Sequence, residues 1–355
     1  MLGLMVLSFK YRIKDASRIA ALTAHARTVN EAWNSLVLSE WVRRGHYAEI
    51  GPNLPGGHRF NCARRFVGRS QEIGLHSDTL AEVCRVFTSS RDTHKRCPKH
   101  RGRKSLGWIP FLGRAVKIKG DRLRYIGVNY RVWLSRPFPL KIKTGAFVQD
   151  ARGRWYLCLT AEVTSVKGNG VGAVGIDLGL KDFAGLSNGT TLENPRWFRS
   201  LEDRLAVAQR ARQPQRVKSI HAKISNRRKH VLHEYSTRLV RQFKKIVVGN
   251  VSASSLGKTS MAKSVYDAGW SAFRAMLRYK CQQAQAVFEE ADERFSTQTC
   301  SSCQTRSGPK GLKGLRIRQW KCGSCLVLHN RDTNAACNLL AGAERRPLAE
   351  EILAL

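Results

Sequence analysis

The chain has 355 residues, of which 42% are hydrophobic, so the composition predicts a folded protein and excludes a disordered one. Its 62 basic residues outnumber 26 acidic ones, and the net charge of +36 makes nucleic acid the first partner to expect. No stretch approaches the roughly 18 apolar residues of a spanning helix, so no membrane partner is expected.

The first half of the chain predicts a β-rich unit with helices inserted into it. Apolar residues alternate with polar ones from Met5 to Ile13, which is the period of a half-buried strand. We expect this strand to pair with later ones. The later elements are helices between residues 15 and 89 with a loop at 53–57, a basic loop at 91–104, and short strands between 108 and 163, for example 115–119, 124–128 and 154–159.

The second half predicts alternating strands and helices. Residues 171–177 form an apolar run typical of a central buried strand, and Asn188-Gly189 supplies a hairpin turn. This order favours an α/β domain of the ribonuclease-H type. The remaining elements are a basic helical region, a buried strand at 246–249, a helix over 270–290, a β run to Phe295, a cysteine-rich insert and a helix from about Asp332.

Four cysteines have the spacing of a metal site. Cys300 and Cys303 are separated by two residues, as are Cys322 and Cys325, and 18 residues lie between the pairs. The opening MLGLMVL lacks the basic region of a signal peptide, so we expect a reducing, cytoplasmic setting. Paired cysteines there bind metal more often than they form disulfides, and the spacing predicts a structural zinc ribbon.

Two acidic residues stand where a cation would be useful. Asp177 ends the buried strand, where a bare carboxylate is costly unless a cation neutralises it or it caps the following turn. Asp332 lies at the expected start of a helix, where an acid also stabilises the helix dipole without any further role. From the residues alone, both interpretations of each acid remain open.

A set of motifs in the second half has a known counterpart. The motifs are GIDLGLK from Gly175, the two cysteine pairs, RDTNAACN from Arg331, DAGW from Asp267, Tyr279-Lys280, STQTC from Ser296 and RRK from Arg227. Together they resemble the TnpB family, the RuvC-type RNA-guided nucleases of bacterial insertion sequences, which are related to compact type V CRISPR effectors. The resemblance covers most of residues 90–342.

The resemblance implies a multi-domain α+β protein. A β-barrel-like N-terminal unit with an inserted helical unit would precede a ribonuclease-H-like (RuvC) α/β domain with an inserted zinc ribbon. The implied boundaries are 1–14 for the first strand of the β-rich, wedge-like domain, 15–90 for a helical recognition-like domain, 91–168 for the rest of the β-rich domain, 169–299 for the RuvC-like domain, 300–328 for the zinc ribbon and 329–355 for the C-terminal RuvC-like part.

The resemblance also implies the acids of a nuclease. It makes Asp177 the first RuvC carboxylate and Asp332 the third. The usual second acid would follow the strand at 246–248, but Gly249-Asn250 stands there instead. Hydrolysis with two metal ions needs at least three carboxylates, so cleavage depends on whether another acid replaces the one missing at 249–250.

A neighbouring strand offers a replacement for the missing acid. The strand that runs into Glu293 is expected beside residues 246–248, about 4.8 Å away, which is within reach of a glutamate side chain. Alternation places Glu293 on one face with Ala291, and Asp292 on the other. We therefore predict that Glu293 is the second magnesium-binding carboxylate. The competing interpretations are a solvated Glu293 in an inactive nuclease, and Asp267 as a weaker substitute.

Residues 196–245 hold 15 basic and 3 acidic side chains on helical spacing. So few intervening acids favour contact with the backbone of a guide–target heteroduplex over charge for solubility alone. The candidate contacts are Arg204, Arg210, Arg216, Lys223, Arg227, Arg228 and Lys229. Aromatic residues that suit either base stacking or, more commonly, core packing are Trp41, Tyr47, Trp108, Tyr125, Tyr130 and Trp133.

These inferences predict a TnpB-like RNA-guided DNA endonuclease. It would bind a guide RNA and double-stranded target DNA, and would hydrolyse phosphodiesters with two Mg²⁺ ions while Zn²⁺ supports the fold. Its expected location is the bacterial cytoplasm, with nucleoid association when bound to DNA. Two alternatives stay open: an RNA-guided binder that has lost cleavage, and a zinc-ribbon DNA-binding transposition accessory that uses no RNA.

Overall fold

The computed structural model of the chain describes residues 4–14, 16–44, 59–251, 262–314 and 316–344. The chain forms two compact units, which comprise residues 4–163 and 164–355. Tyr47 and the loop predicted at 53–57 lie outside the described residues. Across the ranges that are described, no helix has both the length and the apolar character needed to cross a membrane.

The N-terminal unit is built on one seven-stranded sheet. Its strands are β1 (Leu4–Ile13), β2 (Trp108–Leu112), β3 (Lys117–Lys119), β4 (Arg122–Tyr125), β5 (Val128–Trp133), β6 (Lys141–Gln149) and β7 (Trp155–Thr164). They lie in the order β2-β6-β7-β1-β5-β4-β3, so the first strand sits between strands that are more than 100 residues away in sequence. The prediction that the first strand pairs with later strands is confirmed.

One predicted strand in this unit is wrong. Residues 124–128 do not continue as a single strand, because Ile126 and Gly127 adopt left-handed backbone angles (φ of 45° and 72°). Two consecutive positive φ values form the tight turn that joins β4 to β5. A β-branched isoleucine is rarely found in that conformation, so the sequence pattern favoured an uninterrupted strand.

The described residues between β1 and β2 form four α-helices, so the predicted helical region is confirmed there, but the last helix runs to His94, into the loop predicted at 91–104. The helices are α1 (Ile19–Arg43), α2 (Arg59–Arg64), α3 (Ser70–Ile73) and α4 (Ser77–His94). The Trp33 ring of α1 packs edge-on against Phe87 of α4 and Trp108 of β2, with centroids 5.2 and 5.9 Å apart. Trp33 also donates its indole N–H to the Lys99 carbonyl at 3.0 Å, which anchors the basic segment.

The C-terminal unit contains a five-stranded sheet. Its strands are β8 (Ala173–Leu178), β9 (Ala184–Leu186), β10 (Thr191–Leu192), β11 (Lys245–Gly249) and β12 (Val287–Ala291), in the order β10-β9-β8-β11-β12. Strands β8, β11 and β12 are parallel, β9 pairs antiparallel with β8, and β10 pairs antiparallel with β9. The predictions of a central strand before residue 178 and of a turn at Asn188-Gly189 are confirmed.

Among the described residues, this unit also contains six α-helices and a short hairpin. They are α5 (Glu202–Arg210), α6 (Pro214–Gln242), α7 (Ala262–Ala268), α8 (Trp270–Ala284), α9 (Gly311–Gly314) and α10 (Arg331–Glu344), with strands β13 (Gln319–Lys321) and β14 (Leu328–Asn330). Short 3-10 turns lie at Ala16–Arg18, Gly113–Ala115 and Arg199–Leu201. The helix predicted over 270–290 is too long, because Gln285 adopts a left-handed φ of 53° that ends the helix before β12.

Candidate metal centres and nucleic-acid interface

An acidic site is built at the carboxyl edge of the five-stranded sheet. Strands β8 and β11 pair in parallel with Ile176 opposite Val248, so Asp177 lies beside Gly249. On its other side Asp177 pairs with Gly185 of β9, and its side chain is half-buried. The first predicted carboxylate therefore stands at the end of the central strand, as the sequence indicated.

Glu293 reaches this edge from the neighbouring strand. Strand β12 pairs in parallel with β11, and Gly249 is opposite Ala291, so Glu293 follows two residues later on the same face. A β-carbon placed on Gly249 would lie 1.9 Å from the Glu293 Oε1 atom and 2.6 Å from its Cγ and Cδ atoms. The Glu293 carboxyl group thus fills the space that a side chain at position 249 would occupy. Asp292 is exposed instead.

Asp332 enters the site from the first turn of α10. The Asn330 side chain caps this turn by accepting a hydrogen bond of 3.0 Å from the Asp332 backbone N–H. A β-carbon on Gly175 would lie 2.0 Å from the Ala336 carbonyl oxygen, so glycine lets α10 cross β8 closely enough to bring Asp332 to the strand ends. The Arg318 guanidinium donates to both Asp332 carboxylate oxygens at 3.0 and 3.2 Å.

The three acids influence one another electrostatically. Burial, followed by the negative charges of Glu293 and Asp332, raises the pKa of Asp177 well above its usual value. Burial also raises the pKa of Glu293 to about 6, although the Val251 backbone N–H and the Arg274 guanidinium oppose that shift. Clustered acids with raised pKa values are costly in the absence of a cation.

The donor set of this site fits divalent cations. The buried Oε1 atom of Glu293 has no hydrogen-bond partner within the described part of the chain. Carboxylate oxygens are the ligands that hard ions such as Mg²⁺ prefer. Within the described residues, the close group of potential metal-ligating side chains is formed by the four cysteines, and the three acids do not form such a group.

Asp267, the substitute considered for the second acid, is committed elsewhere. It is buried and accepts hydrogen bonds of 2.8 Å from the Phe198 backbone N–H and from the Arg228 guanidinium. These bonds satisfy both of its carboxylate oxygens. They also tie α6 to α7 through the Arg228 side chain.

The four predicted cysteines come together at the start of the cysteine-rich insert (residues 300–328) and at its hairpin. Their sulfur atoms all lie within 4.8 Å of one another. Cys300 and Cys325 are 3.5 Å apart at sulfur, and Cys303 and Cys322 are 3.6 Å apart. Zinc–sulfur bonds of 2.3 Å in a tetrahedron require sulfur separations of about 3.8 Å. The cluster can therefore hold one tetrahedral ion.

The surroundings of the cluster favour thiolates at Cys303 and Cys322, whereas the neighbouring cysteines raise the pKa of Cys325 although the Val327 backbone N–H opposes that shift. The backbone N–H of Cys325 and the Ser307 hydroxyl lower the pKa of Cys322 to about 5, and the hydroxyl oxygen lies 3.1 Å from the sulfur. His329 is buried with its Nε2 atom 3.0 Å from the Cys300 sulfur, and its ring packs on Trp320. A histidine at that position orients a ligand sulfur from outside the set of four.

Two residues that the sequence reasoning missed connect the insert to the acids. Asn334 accepts a hydrogen bond from the Ser301 backbone N–H at 2.8 Å and donates to the Ser296 and Thr299 carbonyls, which fastens α10 to the first cysteine pair. Arg318 lies in the insert, just before β13, and its side chain binds Asp332. The RDTNAACN motif contained a signal for Asn334, because a buried asparagine in a helix usually makes specific hydrogen bonds.

The candidate nucleic-acid residues lie on α5 and α6. Six of them are exposed: Arg204, Arg210, Arg216, Lys223, Arg227 and Lys229. Arg216, Lys223 and Arg227 follow one another at intervals of seven and four residues, so they share one face of α6. Arg228 differs from the six, because it is half-buried and paired with Asp267.

The aromatic candidates of the N-terminal unit divide into two groups. Tyr125 and Tyr130 are fully buried, and Trp108 is partly buried, so all three contribute to the core. Trp133 is 59% exposed and Trp41 is 37% exposed. Only the second pair has ring surface available for stacking among the described candidates.

Two family models match the chain. Residues 156–259 match the family described as "Probable transposase", and residues 270–339 match the "Cas12f1-like, TNB domain". The second range contains all four cysteines together with Glu293 and Asp332. Asp177 lies in the first.

Curated relatives match over part of their length. A "Putative RNA-guided DNA endonuclease" of Streptomyces pristinaespiralis is 35% identical over 224 residues, which are 58% of this chain and 55% of that protein. "Putative RNA-guided DNA endonuclease InsQ" of Escherichia coli K12 is 26% identical, over 55% of each chain. The chain thus spans about half the length of the curated relatives it matches.

A solved structure matches over nearly the whole chain. It is described as the "Cryo-EM structure of the Cas12f1-sgRNA-target DNA complex". The match covers 95% of this chain and 98% of that one, with a TM-score of 0.55 and 10% sequence identity. The likeness shows a Cas12f1-like mixed α+β fold. In its motifs, its family-model matches and its curated relatives, the chain resembles the TnpB family.

Proposed function

We propose that this protein is an RNA-guided DNA endonuclease in which Asp177, Glu293 and Asp332 bind two Mg²⁺ ions and catalyse phosphodiester hydrolysis. The names of the curated relatives support nuclease activity and guidance by RNA. The same names and the Cas12f1 fold support a guide RNA and target DNA as partners. A cytoplasmic location follows from that activity.

One observation carries the proposal. The Glu293 carboxyl group occupies the volume above Gly249, where the second acid of a RuvC-type site would project. The vacancy at position 249 is therefore filled from β12. A glycine at 249 is also necessary for this arrangement, since any β-carbon there would collide with the Glu293 side chain.

The chain's own groups would act by position and charge. Asp177 and Asp332 would approach a bound phosphodiester from β8 and α10, and Glu293 would approach from β12. When bound, the ions supply an activated water and stabilise the leaving oxygen. Arg318, which pairs with Asp332 in this structure, would supply positive charge close to a bound phosphodiester.

The remaining parts would position RNA and DNA. We assign zinc to the four cysteines as a structural ion, and assign the exposed cations of α5 and α6 to the heteroduplex backbone. The domain boundaries proposed from the sequence fit this scheme: a β-rich domain over 1–14 and 91–168, a helical insertion over 15–90, a RuvC-like domain over 169–299 and 329–355, and a zinc ribbon over 300–328.

Replacing Glu293 by Gln tests the proposal. The amide keeps the shape of the side chain but cannot supply a charge to the ions, so cleavage should fall at least about 100-fold. The experiment incubates the protein and its co-purified RNA with matching plasmid and Mg²⁺. Asp292→Gln is the matched control, because Asp292 is exposed beside the site, and it should cleave normally. Undiminished cleavage by Glu293→Gln would contradict the proposal.

The second candidate function is RNA-guided binding without cleavage. Gly249 in place of the usual acid favours it. Wild-type protein that binds target DNA but fails to cut it in Mg²⁺ or Mn²⁺ would establish this alternative. A preparation without any discrete RNA would instead favour a DNA-binding accessory protein.

A further inference from the structure

A cavity outside the acidic site has no role in the proposed chemistry. It has a volume of about 360 Å³, which falls in the usual range for small-ligand sites. We call it the Phe198 pocket and define it by Leu180, Lys181, Arg196, Phe198, Arg199 and Lys263, which line it. Leu180 and Lys181 follow Asp177 by three and four residues, so the pocket opens at the same carboxyl edge of the sheet.

The walls of the pocket are fixed by internal bonds. The Phe198 backbone N–H donates to Asp267, and Asp267 is in turn held by Arg228. The Asn194 side chain donates to the Leu180 carbonyl at 2.8 Å and accepts from the Arg196 backbone N–H at 3.1 Å. Arg196 itself has a left-handed φ of 47°, a costly conformation for a residue with a side chain. The pocket is therefore organised before any ligand enters.

The charge of the pocket is unbalanced. Two acids also line the pocket, and both are paired: Glu202 with Lys263, and Asp267 with Arg228. The Lys263 ammonium lies 4.6 Å from the centre of the Phe198 ring. Lys181, Arg196 and Arg199 are exposed, and none of the three forms an ion pair within the ranges that the structure describes. Three unpaired cations around one cavity favour an anionic ligand with more than one charged group.

The apolar wall of the pocket indicates a second property of its ligand, which is an apolar or aromatic surface. Leu180 and Phe198 are partly buried and present hydrocarbon surface next to the three cations. A free phosphate would leave that surface unused. A nucleotide within a single strand uses both features, because its base contacts the apolar wall while its flanking phosphates meet the cations.

We propose that the Phe198 pocket holds one unpaired nucleotide of the DNA strand that runs to Asp177, Glu293 and Asp332. The base lies against Leu180 and Phe198, and Lys181, Arg196 and Arg199 contact the adjoining phosphates. The pocket then fixes the strand's position a short distance from the bond to be cut. This inference rests on the proposed function only for the identity of the strand.

Photocrosslinking tests the pocket directly. The full-length protein is mixed with a short single-stranded DNA that carries 5-iododeoxyuridine, irradiated without divalent ions, and analysed by peptide mass spectrometry. We expect crosslinks on the peptide that contains Phe198. Crosslinks found only on other peptides would overturn the proposal. The assay needs neither guide RNA nor cleavage, so failure of the nuclease proposal and failure of the pocket give different results.

A salt titration provides an independent measurement. The variant with Lys181→Gln, Arg196→Gln and Arg199→Gln should reduce the slope of log affinity against log salt by about 2, at roughly 0.7 per lost phosphate contact. The matched control is Lys117→Gln with Lys119→Gln and Arg122→Gln, which removes the same charge from exposed positions on β3 and β4. The control should retain the Phe198 crosslink. Equal slope changes in both triple variants would contradict the proposal that the Phe198 pocket binds the DNA strand.

Discussion

At the scale of single residues, the main feature is that the Glu293 side chain occupies the space that a side chain at position 249 would fill. Gly249 leaves a gap at the end of β11, and Glu293 reaches into it from β12, with its Oε1 atom 1.9 Å from where a β-carbon would stand. The two positions are therefore coupled, because an acid fits at one of them only when the other is small. Strand spacing and alternation predicted from the sequence that Glu293 lies beside this strand, and its role as a metal ligand stays a prediction.

The raised pKa of Glu293 leads to a prediction about pH. In the folded chain this pKa is about 6, compared with the usual 4.5. Between these values the folded state holds a proton that the unfolded chain releases, so the metal-free protein loses stability as the pH rises through this window. Metal binding needs the ionised form, and Mn²⁺ affinity should rise about tenfold per pH unit up to about pH 6. Calorimetric titration measures this dependence.

Glu293→Gln is the control for the pH experiment. It removes the titrating group, so Mn²⁺ should bind more weakly, with only the pH dependence contributed by the other acids. The metal-free variant should also lose the part of the stability change between pH 4.5 and about 6 that Glu293 contributes. Identical pH dependence in the variant and the wild type would show that Glu293 does not face the ions.

At the scale of elements, the order of strands and helices in the C-terminal unit could be read from the sequence, because buried strands and amphipathic helices have distinct periods. The cysteine spacing likewise predicted the cluster. Ile126 in a turn and Gln285 at a helix end were not predictable, since both residues adopt left-handed angles that their side chains disfavour. The contact between Arg318 and Asp332 depends on tertiary packing and left no periodic signal.

The cysteine-rich insert gives a prediction at this scale. Cys322→Ser should lower the zinc content from about one ion per chain and destabilise the hairpin that carries Arg318 and leads into α10. Cleavage should fall with it, because α10 carries Asp332. Elemental analysis and thermal melting measure the two effects. Cys97→Ser, in the N-terminal unit, is the control and should retain zinc; full zinc content in Cys322→Ser would refute the assignment.

At the scale of the whole molecule, the net charge of +36 is the dominant property. Self-repulsion of that size favours binding to a polyanion, and binding should weaken steeply with salt because counterions are released. The structure refines the sequence prediction by separating cations that are free to contact phosphate from those already used in the fold. Arg227 and Arg228 are adjacent in sequence, but Arg227 is exposed to solvent whereas Arg228 is paired with Asp267.

This adjacent pair gives a matched test. Arg227→Gln should lower the slope of log affinity against log salt by about 0.9 for duplex nucleic acid, with little change in melting temperature. Arg228→Gln should leave the slope nearly unchanged and lower the melting temperature, because Asp267 loses its buried partner. Fluorescence anisotropy at several salt concentrations measures the slopes. Equal slope changes in the two variants would contradict the assignment of Arg227 to phosphate contact and of Arg228 to the fold.

The most direct test of the relocated carboxylate exchanges the two coupled positions. Glu293→Ala should abolish cleavage, and adding Gly249→Glu should restore it to within about tenfold of wild type, because the truncated side chain frees the space above residue 249. Gly249→Glu alone should be destabilised by the clash. Cleavage of matching target DNA in Mg²⁺ is the measurement. Full activity in Glu293→Ala, or no recovery in a folded double variant that still binds target DNA, would contradict the account.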